Sequence, residues 1–202
     1  MSYLNHNINK FSEYPFTRLR NLLSKDIKTK ETKILDLSIG QPHHKFPSFV
    51  KTILSAENSK WSLYPPIKGL PVLRNAYLKW LQRRFNLKGS FFNHENILPL
   101  SGTREGLFSI SLALSVKQII VPNPFYQVYL GASLFNNVPL VFMNTGQEEN
   151  YLMDLKKLQK KIKNKTSLIY FCNPSNPQGK CASSDYLQKL ISLVRKKNSI
   201  LV

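Results

Sequence analysis

The chain has 202 residues, of which 42% are hydrophobic, so it is long and apolar enough for a folded core and is not intrinsically disordered. It has no run of about 18 uncharged apolar residues, and its first residues lack the basic-then-apolar pattern of a signal peptide, which predicts a soluble, cytoplasmic protein. Its net charge of +18, from 29 Lys and Arg against 11 Asp and Glu, raises the alternative of a nucleic-acid-binding protein.

The amino-terminal part of the chain contains a few separated elements. Residues 1–33 are polar and basic apart from one short amphipathic piece, and Gly40-Gln41-Pro42 breaks the next apolar segment. Alternating apolar residues predict a strand, whereas a helical spacing of apolar residues predicts a helix. The elements predicted here are a helix at about 16–23, a strand at 34–39, and helices at 47–55 and about 71–85.

From residue 97 onward, short apolar strands alternate with longer helical segments. The predicted strands cover 97–100, 118–121, 138–142, 167–171 and 199–202. The predicted helices cover 103–115, 126–136, 152–163 and 183–197. This alternation is typical of an α/β fold with a mostly parallel sheet and helices on both faces. Ligands of such sheets bind at the loops that follow the strands, and the polar motifs of this chain lie in those loops.

The first motif is Ser101-Gly102-Thr103-Arg104, between a predicted strand and a predicted helix. Gly102 permits a tight turn and a close approach of the backbone to a ligand, and the free N–H groups at the helix start favour an anion. The motif therefore predicts a phosphate site. An ordinary helix cap by Ser101 or Thr103 explains the same residues, and the Gly-Lys-Ser/Thr of a Walker loop is missing.

Two further loops carry aromatic and amide side chains. Tyr126 follows the second strand, where its ring can stack on a flat heteroaromatic group, although taken alone it is better explained by packing of the loop. Asn176 lies in Asn173-Pro174-Ser175-Asn176-Pro177-Gln178-Gly179, whose prolines fix the backbone. Its amide is thereby held over a strand end, where it can donate to a phenolate oxygen. A turn rich in Asn and Pro is the alternative.

Together these motifs resemble the class I and II aminotransferases, which are fold-type-I pyridoxal-phosphate enzymes. The resemblance runs from about Leu35 to Val202, and five motifs follow the order of the family. They are the loop 38–42, the segment with Tyr64, Gly69, Leu73 and Arg74, the loop Ser101-Gly102-Thr103-Arg104, Tyr126, and Asn176. The match is strongest with the family's succinyldiaminopimelate transaminases, which implies N-succinyl-diaminopimelate as a substrate and a place in lysine biosynthesis.

The resemblance implies pyridoxal 5′-phosphate as the cofactor and assigns residues to each part of it. Backbone N–H groups of Gly102, Thr103 and Arg104 would bind the phosphate. Tyr126 would stack on the pyridine ring, and Asn176 would bond the ring oxygen. The reaction implied is the transfer of an amino group between an amino acid and a 2-keto acid.

Two residues of the amino-terminal part are also matched. Gly40 corresponds to the substrate-side glycine of the family. Tyr64 corresponds to a tyrosine that reaches the phosphate of the neighbouring subunit, since the family forms homodimers with active sites at the interface. An ordinary loop aromatic beside Pro65 explains Tyr64 equally well.

The reactive groups of the family have no match in this chain. The Schiff-base lysine, the aspartate beside the pyridine nitrogen and the arginine that grips the substrate carboxylate all follow the strand that begins here at Ser199. No catalytic residue is therefore assigned, and we expect the chain to be the N-terminal portion of a longer enzyme, inactive alone. The expected organisation is an arm and small-domain segment at 1–45 and a partial cofactor-binding large domain, truncated at its C-terminus, at 46–202.

Two other functions remain open. Another fold-type-I enzyme, such as a C–S lyase, has the same cofactor loops. A nucleic-acid-binding protein is suggested by the charge alone, but the basic residues are spread from Lys10 to Lys197 without a basic tail, so no nucleic-acid partner is expected. Cys172 and Cys181 show no metal or redox spacing, and no metal site is expected.

Overall fold

The computed structural model describes residues 3, 6–11, 13–26, 35, 37, 40, 42–87 and 92–202. The chain forms two compact units. We call Met1–Tyr14 with Leu100–Val202 the sheet unit, and Pro15–Pro99 the helical unit. The organisation expected from the sequence, with a boundary after residue 45, stays a prediction.

The described part of the helical unit contains three α-helices. They are α1 (Pro15–Asp26), α2 (Ser48–Ala56) and α3 (Pro71–Phe85). A proline opens α3, where its missing N–H costs no hydrogen bond, and Asn86 ends the helix in the left-handed conformation with φ of 49°. The helices predicted at about 16–23, 47–55 and about 71–85 are thus confirmed. The strand predicted at 34–39 lies outside the described residues apart from Leu35 and Leu37.

A buried arginine holds α3 against the segment that follows it. Arg74 is 5% exposed, and its Nη1 atom lies 3.2 Å from a carboxylate oxygen of Glu95 and donates to the carbonyl of His94. Lys68 contacts the same carboxylate at 3.1 Å. Hydrogen bonds from Arg74 and then Lys68 lower the pKa of Glu95 to about 2. The contact between α3 and this segment therefore includes a charge network in which Glu95 is ionised.

The sheet unit contains a four-stranded, all-parallel sheet in the order β2-β1-β3-β4. The strands are β1 (Gln118–Asn123), β2 (Leu140–Asn144), β3 (Ser167–Ile169) and β4 (Ile200–Leu201). The central strands β1 and β3 are almost entirely buried and are rich in β-branched residues, as expected for strands covered on both faces. The register places Ile119 beside Leu140 and Leu168, and Leu168 beside Ile200.

Helices cover both faces of this sheet. They are α4 (Thr103–Leu112), α5 (Val128–Asn136), α6 (Leu155–Ile162) and α7 (Ser184–Lys196). Because side chains alternate along a strand, Ile119 packs with residues of α4 and α5, whereas its neighbour Ile120 packs with residues of α6 and α7. The predicted fold class, an α/β fold with a mostly parallel sheet between helices, is confirmed. No helix among the described residues is long and apolar enough to cross a bilayer.

One predicted strand is wrong. Residues 97–100 form no strand among the described residues, and Leu98 and Leu100 are 60% and 44% exposed. An apolar run becomes a strand only when a neighbouring strand supplies its hydrogen bonds, and Pro99 has no N–H to offer such a neighbour. The helix predicted to reach residue 115 also ends earlier, at Leu112, because Lys117 already pairs with Thr166 at the entrance to the sheet.

Candidate functional site

The strand order creates a switch point at the carboxyl edge of the sheet. After β1 the chain moves through α5 to β2 on one side, and it then crosses back through α6 to β3 on the other side of β1. The connections that leave β1 and β3 therefore diverge to opposite faces. Open α/β sheets bind ligands in the crevice that this divergence leaves. Tyr126 and Asn176 lie in the loops that follow these two strands.

The start of α4 leaves its backbone donors free of side-chain caps. Gly102 occupies the cap position with φ of 152° and ψ of 152°, and no side chain of the described residues caps the helix. The alternative of an ordinary cap by Ser101 or Thr103 is therefore not found. The Glu105 carboxylate instead accepts from the N–H of Ser101 at 3.2 Å. A β-carbon built on Gly102 would meet no atom within 4 Å, so there is open space beside the helix start. Free N–H groups at a helix start favour an anion.

Arg104 links this helix start to the loop after β1. Its Nε atom donates to the hydroxyl of Tyr126 at 2.7 Å, and its guanidinium carbon lies 5.7 Å from the centre of the Tyr126 ring. The hydrogen bond to Tyr126, followed by smaller effects that include Tyr14, raises the pKa of Arg104. Tyr126 is half-buried, so part of this residue remains accessible. The structure thus brings Arg104, which follows Thr103 in the chain, together with Tyr126.

A run of tyrosine rings continues from Tyr126 into the core. The rings of Tyr126 and Tyr129 meet edge to face at 5.9 Å, and those of Tyr129 and Tyr170 stack at 4.1 Å with an angle of 14°. The hydroxyl of Tyr170 donates to the carbonyl of Leu107 in α4. Burial raises the pKa of both Tyr129 and Tyr170 to about 12. These contacts pack the loop after β1, the end of β3 and the first turns of α4 against one another.

The Asn-Pro loop after β3 is stabilised by its own hydrogen bonds. Ser175 donates its N–H to the carbonyl of Lys180, and the Asn173 side chain accepts from the N–H of Ala182 at 2.9 Å. The peptide bonds of the three Asn-Pro pairs, Asn123-Pro124, Asn173-Pro174 and Asn176-Pro177, are cis. Asn176 is exposed, and none of these stabilising bonds uses its amide.

Asn176 lies at the rim of a small pocket on the α6 and α7 side of the sheet edge. Its lining includes Thr145, Cys172, Ser175, Asn176 and Gln178. The Gln178 amide donates to the carbonyl and the hydroxyl of Thr145, at 3.2 and 3.3 Å, which joins this loop to the end of β2. Tyr126 packs with the residue cluster of the opposite face. The two predicted ring contacts therefore lie in separate loops at the same edge of the sheet.

The remaining matched residues, Gly40 and Tyr64, belong to the helical unit. Tyr64 is fully exposed, at 100% of its reference area, in the connection between α2 and α3. Gly40 is exposed, and a β-carbon built on it would meet nothing within 4 Å. Their roles in binding substrate and a neighbouring subunit's cofactor stay predictions.

The donor set at the carboxyl edge fits a phosphorylated aromatic cofactor. Uncapped N–H groups and a guanidinium suit the phosphate, an accessible tyrosine ring suits a flat ring, and an exposed amide suits a ring oxygen. Among the described residues, no three His, Cys, Asp or Glu side chains are grouped as metal ligands would be.

Residues 32–202 match the family model for aminotransferase class I and II. The chain belongs to this family. Class I and II aminotransferases depend on pyridoxal 5′-phosphate, which agrees with the donor set at the switch point. The predicted family and cofactor are therefore confirmed.

Individual relatives agree with this assignment. The chain is 27% identical over 200 residues to an LL-diaminopimelate aminotransferase of Dehalococcoides mccartyi, a match that covers 96% of this chain and 50% of the relative. It is 28% identical to an aspartate/prephenate aminotransferase of Nitrosomonas europaea, with 87% and 44% covered. An aminotransferase structure from Neisseria meningitidis superposes with a TM-score of 0.87 and 30% identity, covering 98% of this chain and 51% of that one. The chain spans about half the length of the curated relatives it matches.

The sequence motifs do not predict the contributions of three side chains at this candidate site. They assign only the backbone of Arg104 to the phosphate, whereas in the structure its side chain binds Tyr126. They assign no role in the site to Tyr129 or Tyr170. Tyr170 did leave a signal, because a tyrosine that directly follows a strand as buried as Ser167–Ile169 must find a buried partner for its hydroxyl. Which carbonyl it reaches depends on helix packing, which local sequence does not encode.

Proposed function

We propose that this chain supplies the cofactor cradle of an aminotransferase that moves an amino group between an amino acid and a 2-keto acid. The observation that carries the proposal is the hydrogen bond between Arg104, at the uncapped start of α4, and Tyr126, at the switch point of the sheet. It joins a phosphate-binding helix start to a ring that can stack on a pyridine.

Each group has a separate task in this proposal. The N–H groups of Gly102, Thr103 and Arg104 hold the phosphate, whose two negative charges also gain from the helix dipole. Tyr126 covers one face of the pyridine ring, and Asn176 donates to its phenolate oxygen. Bound pyridoxal 5′-phosphate supplies the electron sink that amino-group transfer requires.

For the substrate we propose a diaminopimelate. The relative from Dehalococcoides mccartyi is named for LL-diaminopimelate, which lacks the succinyl group implied by the motifs. The succinylated form stays a prediction, and LL-diaminopimelate is the first substrate to test. The positive charge of the chain favours an anionic 2-keto acid as the second substrate, because a net +18 raises the local concentration of anions.

The other expectations about the whole enzyme are part of this proposal. They are a homodimer in which Tyr64 reaches the neighbouring phosphate, a substrate contact at Gly40, and a Schiff-base lysine outside the matched motifs. The 202-residue chain alone is then expected to bind the cofactor without catalysing transamination, which an assay with LL-diaminopimelate and 2-oxoglutarate measures.

Binding is best tested with pyridoxamine 5′-phosphate, because it has no aldehyde and cannot react with the many surface lysines. Calorimetry would compare it with pyridoxamine, which lacks only the phosphate. We expect the phosphorylated ligand to bind at least tenfold more tightly to the chain. Equal affinities for the two ligands would refute the proposal.

A proline substitution locates the phosphate on α4. Thr103→Pro removes one backbone N–H at the first helical position, where proline is well tolerated. We expect it to weaken pyridoxamine 5′-phosphate binding about tenfold and to leave pyridoxamine binding unchanged. Ser184→Pro is the matched control, because Ser184 is the exposed first residue of α7. An equal loss in both variants would place the phosphate elsewhere.

A further inference from the structure

We propose that Tyr170 is a positioning residue for the phosphate site, which it serves by fixing the first turns of α4 against the end of β3. The inference rests on the proposed function, since it concerns the same phosphate. Tyr170 is not among the residues assigned to the phosphate or to the ring of the cofactor, and no motif of the chain singles it out.

The contact that carries the inference is the hydrogen bond from the Tyr170 hydroxyl to the carbonyl of Leu107. Tyr170 is fully buried, at 0% exposure, and follows β3 directly, so the rigid sheet holds its ring. Leu107 lies one helical turn after Thr103, the first residue of α4. A bond at this point sets how far the uncapped N–H groups project beyond the sheet edge.

The other end of the tyrosine run returns to the same helix. Tyr170 stacks on Tyr129, Tyr129 meets the edge of Tyr126, and Tyr126 accepts from Arg104 in the first turn of α4. The helix start is thus held at Arg104 and at Leu107 by two ends of one packed row of rings. Phosphate binding by backbone donors depends on their position to within about 0.5 Å, so such a restraint acts on affinity.

The restraint persists over the whole physiological pH range. Burial raises the pKa of Tyr170 to about 12, so its hydroxyl keeps the proton that it donates. The groups that face it are the phenol of Tyr129, whose pKa burial likewise raises to about 12, and the Leu107 carbonyl. The hydrogen bond is therefore a fixed support.

The experiment is Tyr170→Phe, which removes the hydroxyl and keeps the stacked ring. Its matched control is Tyr186→Phe, because the Tyr186 hydroxyl also donates to a backbone carbonyl, that of Met153 at 2.8 Å, on the other face of the sheet. The readout is the ratio of affinities for pyridoxamine 5′-phosphate and pyridoxamine. If the Tyr170 hydroxyl has only a structural role, both variants will have a lower melting temperature and an unchanged ratio of affinities.

We expect Tyr170→Phe to lower the phosphate preference about tenfold, and Tyr186→Phe to leave it within about twofold. Hydrogen exchange of the unliganded chain adds a second measurement, in which amides of the first two turns of α4 exchange faster in Tyr170→Phe only. A wild-type preference that survives in Tyr170→Phe, with unchanged exchange in α4, overturns this inference alone. A wild-type chain without phosphate preference overturns the proposed function, and the positioning role falls with it.

Discussion

The Nε atom of Arg104 donates a 2.7 Å hydrogen bond to the hydroxyl of Tyr126, 22 residues further along the chain. The contact joins the start of α4 to the loop after β1, two segments that the sequence marks separately. Because the guanidinium also lies 5.7 Å from the ring centre, the charge and the aromatic face form one unit. Cofactor phosphate and ring would then be held by groups that position each other.

Substitutions at Tyr126 separate the ring from the hydroxyl. Tyr126→Phe keeps the stacking face but removes the partner of Arg104, and we expect binding of pyridoxamine 5′-phosphate to weaken about fivefold, which corresponds to about 1 kcal/mol. Tyr126→Leu also removes the ring, and we expect a loss of at least about thirtyfold. Isothermal titration of both variants checks the order, and an equal effect of the two would show that the ring itself does not contact the ligand.

Asn176 and Asn173 provide a matched pair in the Asn-Pro loop. Asn176→Ala removes an exposed amide that stabilises no part of the loop through the hydrogen bonds found here, so we expect weaker ligand binding and an unchanged melting temperature. Asn173→Ala removes the acceptor of the Ala182 N–H, and we expect a loss of about 1 kcal/mol in unfolding free energy. Calorimetric melting and ligand titration distinguish the two effects. Normal binding by Asn176→Ala would remove this residue from the proposed site.

Gly102→Ala tests the backbone at the start of α4. With φ and ψ both at 152°, Gly102 occupies a region that is essentially restricted to glycine, although a β-carbon there meets no atom within 4 Å. We expect the strain to cost about 1–3 kcal/mol of unfolding free energy or to displace the helix start, with weaker phosphate binding. Gly146→Ala is the control, because its β-carbon would make only an ordinary contact, 3.6 Å from Glu149. Urea denaturation measures the unfolding free energy of both variants.

We expect acid to destabilise the helical unit because it protonates Glu95. Its pKa is lowered from 4.5 to about 2 in the folded chain, chiefly by the hydrogen bond from Arg74 and then by that from Lys68. Because the pKa is lower in the folded state, the stabilisation that ionised Glu95 provides is complete above about pH 4.5. It is lost as the pH falls toward 2. Both tryptophans of the chain, Trp61 and Trp80, lie in this unit, so urea unfolding followed by their fluorescence at pH 7, 4 and 3 measures the loss.

The control for this acid effect uses a second glutamate. In Glu95→Gln the loss between pH 4.5 and 2 should become smaller, because the titrating carboxylate is gone. Glu57 forms an exposed ion pair with Lys60 within the same unit, so Glu57→Gln should keep the wild-type dependence on pH. If the stability of Glu95→Gln depends on pH as that of the wild type does, another carboxylate controls acid unfolding.

The amino-acid sequence by itself determined the fold class, the alternation of strands and helices, and the loops in which a cofactor would bind. These follow from local signals: apolar periodicity, glycine at a strand-to-helix turn, and proline beside asparagine. The helix predicted at 71–85 matches α3, whose proline start and left-handed asparagine end are both visible in the chain. The strand predicted at 97–100 is absent because strand formation needs a neighbour, which no local pattern supplies.

Only the tertiary structure decided which side chains meet. The strand order β2-β1-β3-β4 puts the loops after β1 and β3 at one switch point, and helix packing brings Tyr126 to Arg104 and Tyr170 to Leu107. Tyr170 and Leu107 are 63 residues apart, and their contact depends on how α4 lies on the sheet. Such contacts arise from the packing of complete elements, so their geometry is set by the whole core and not by the residues beside them in the chain.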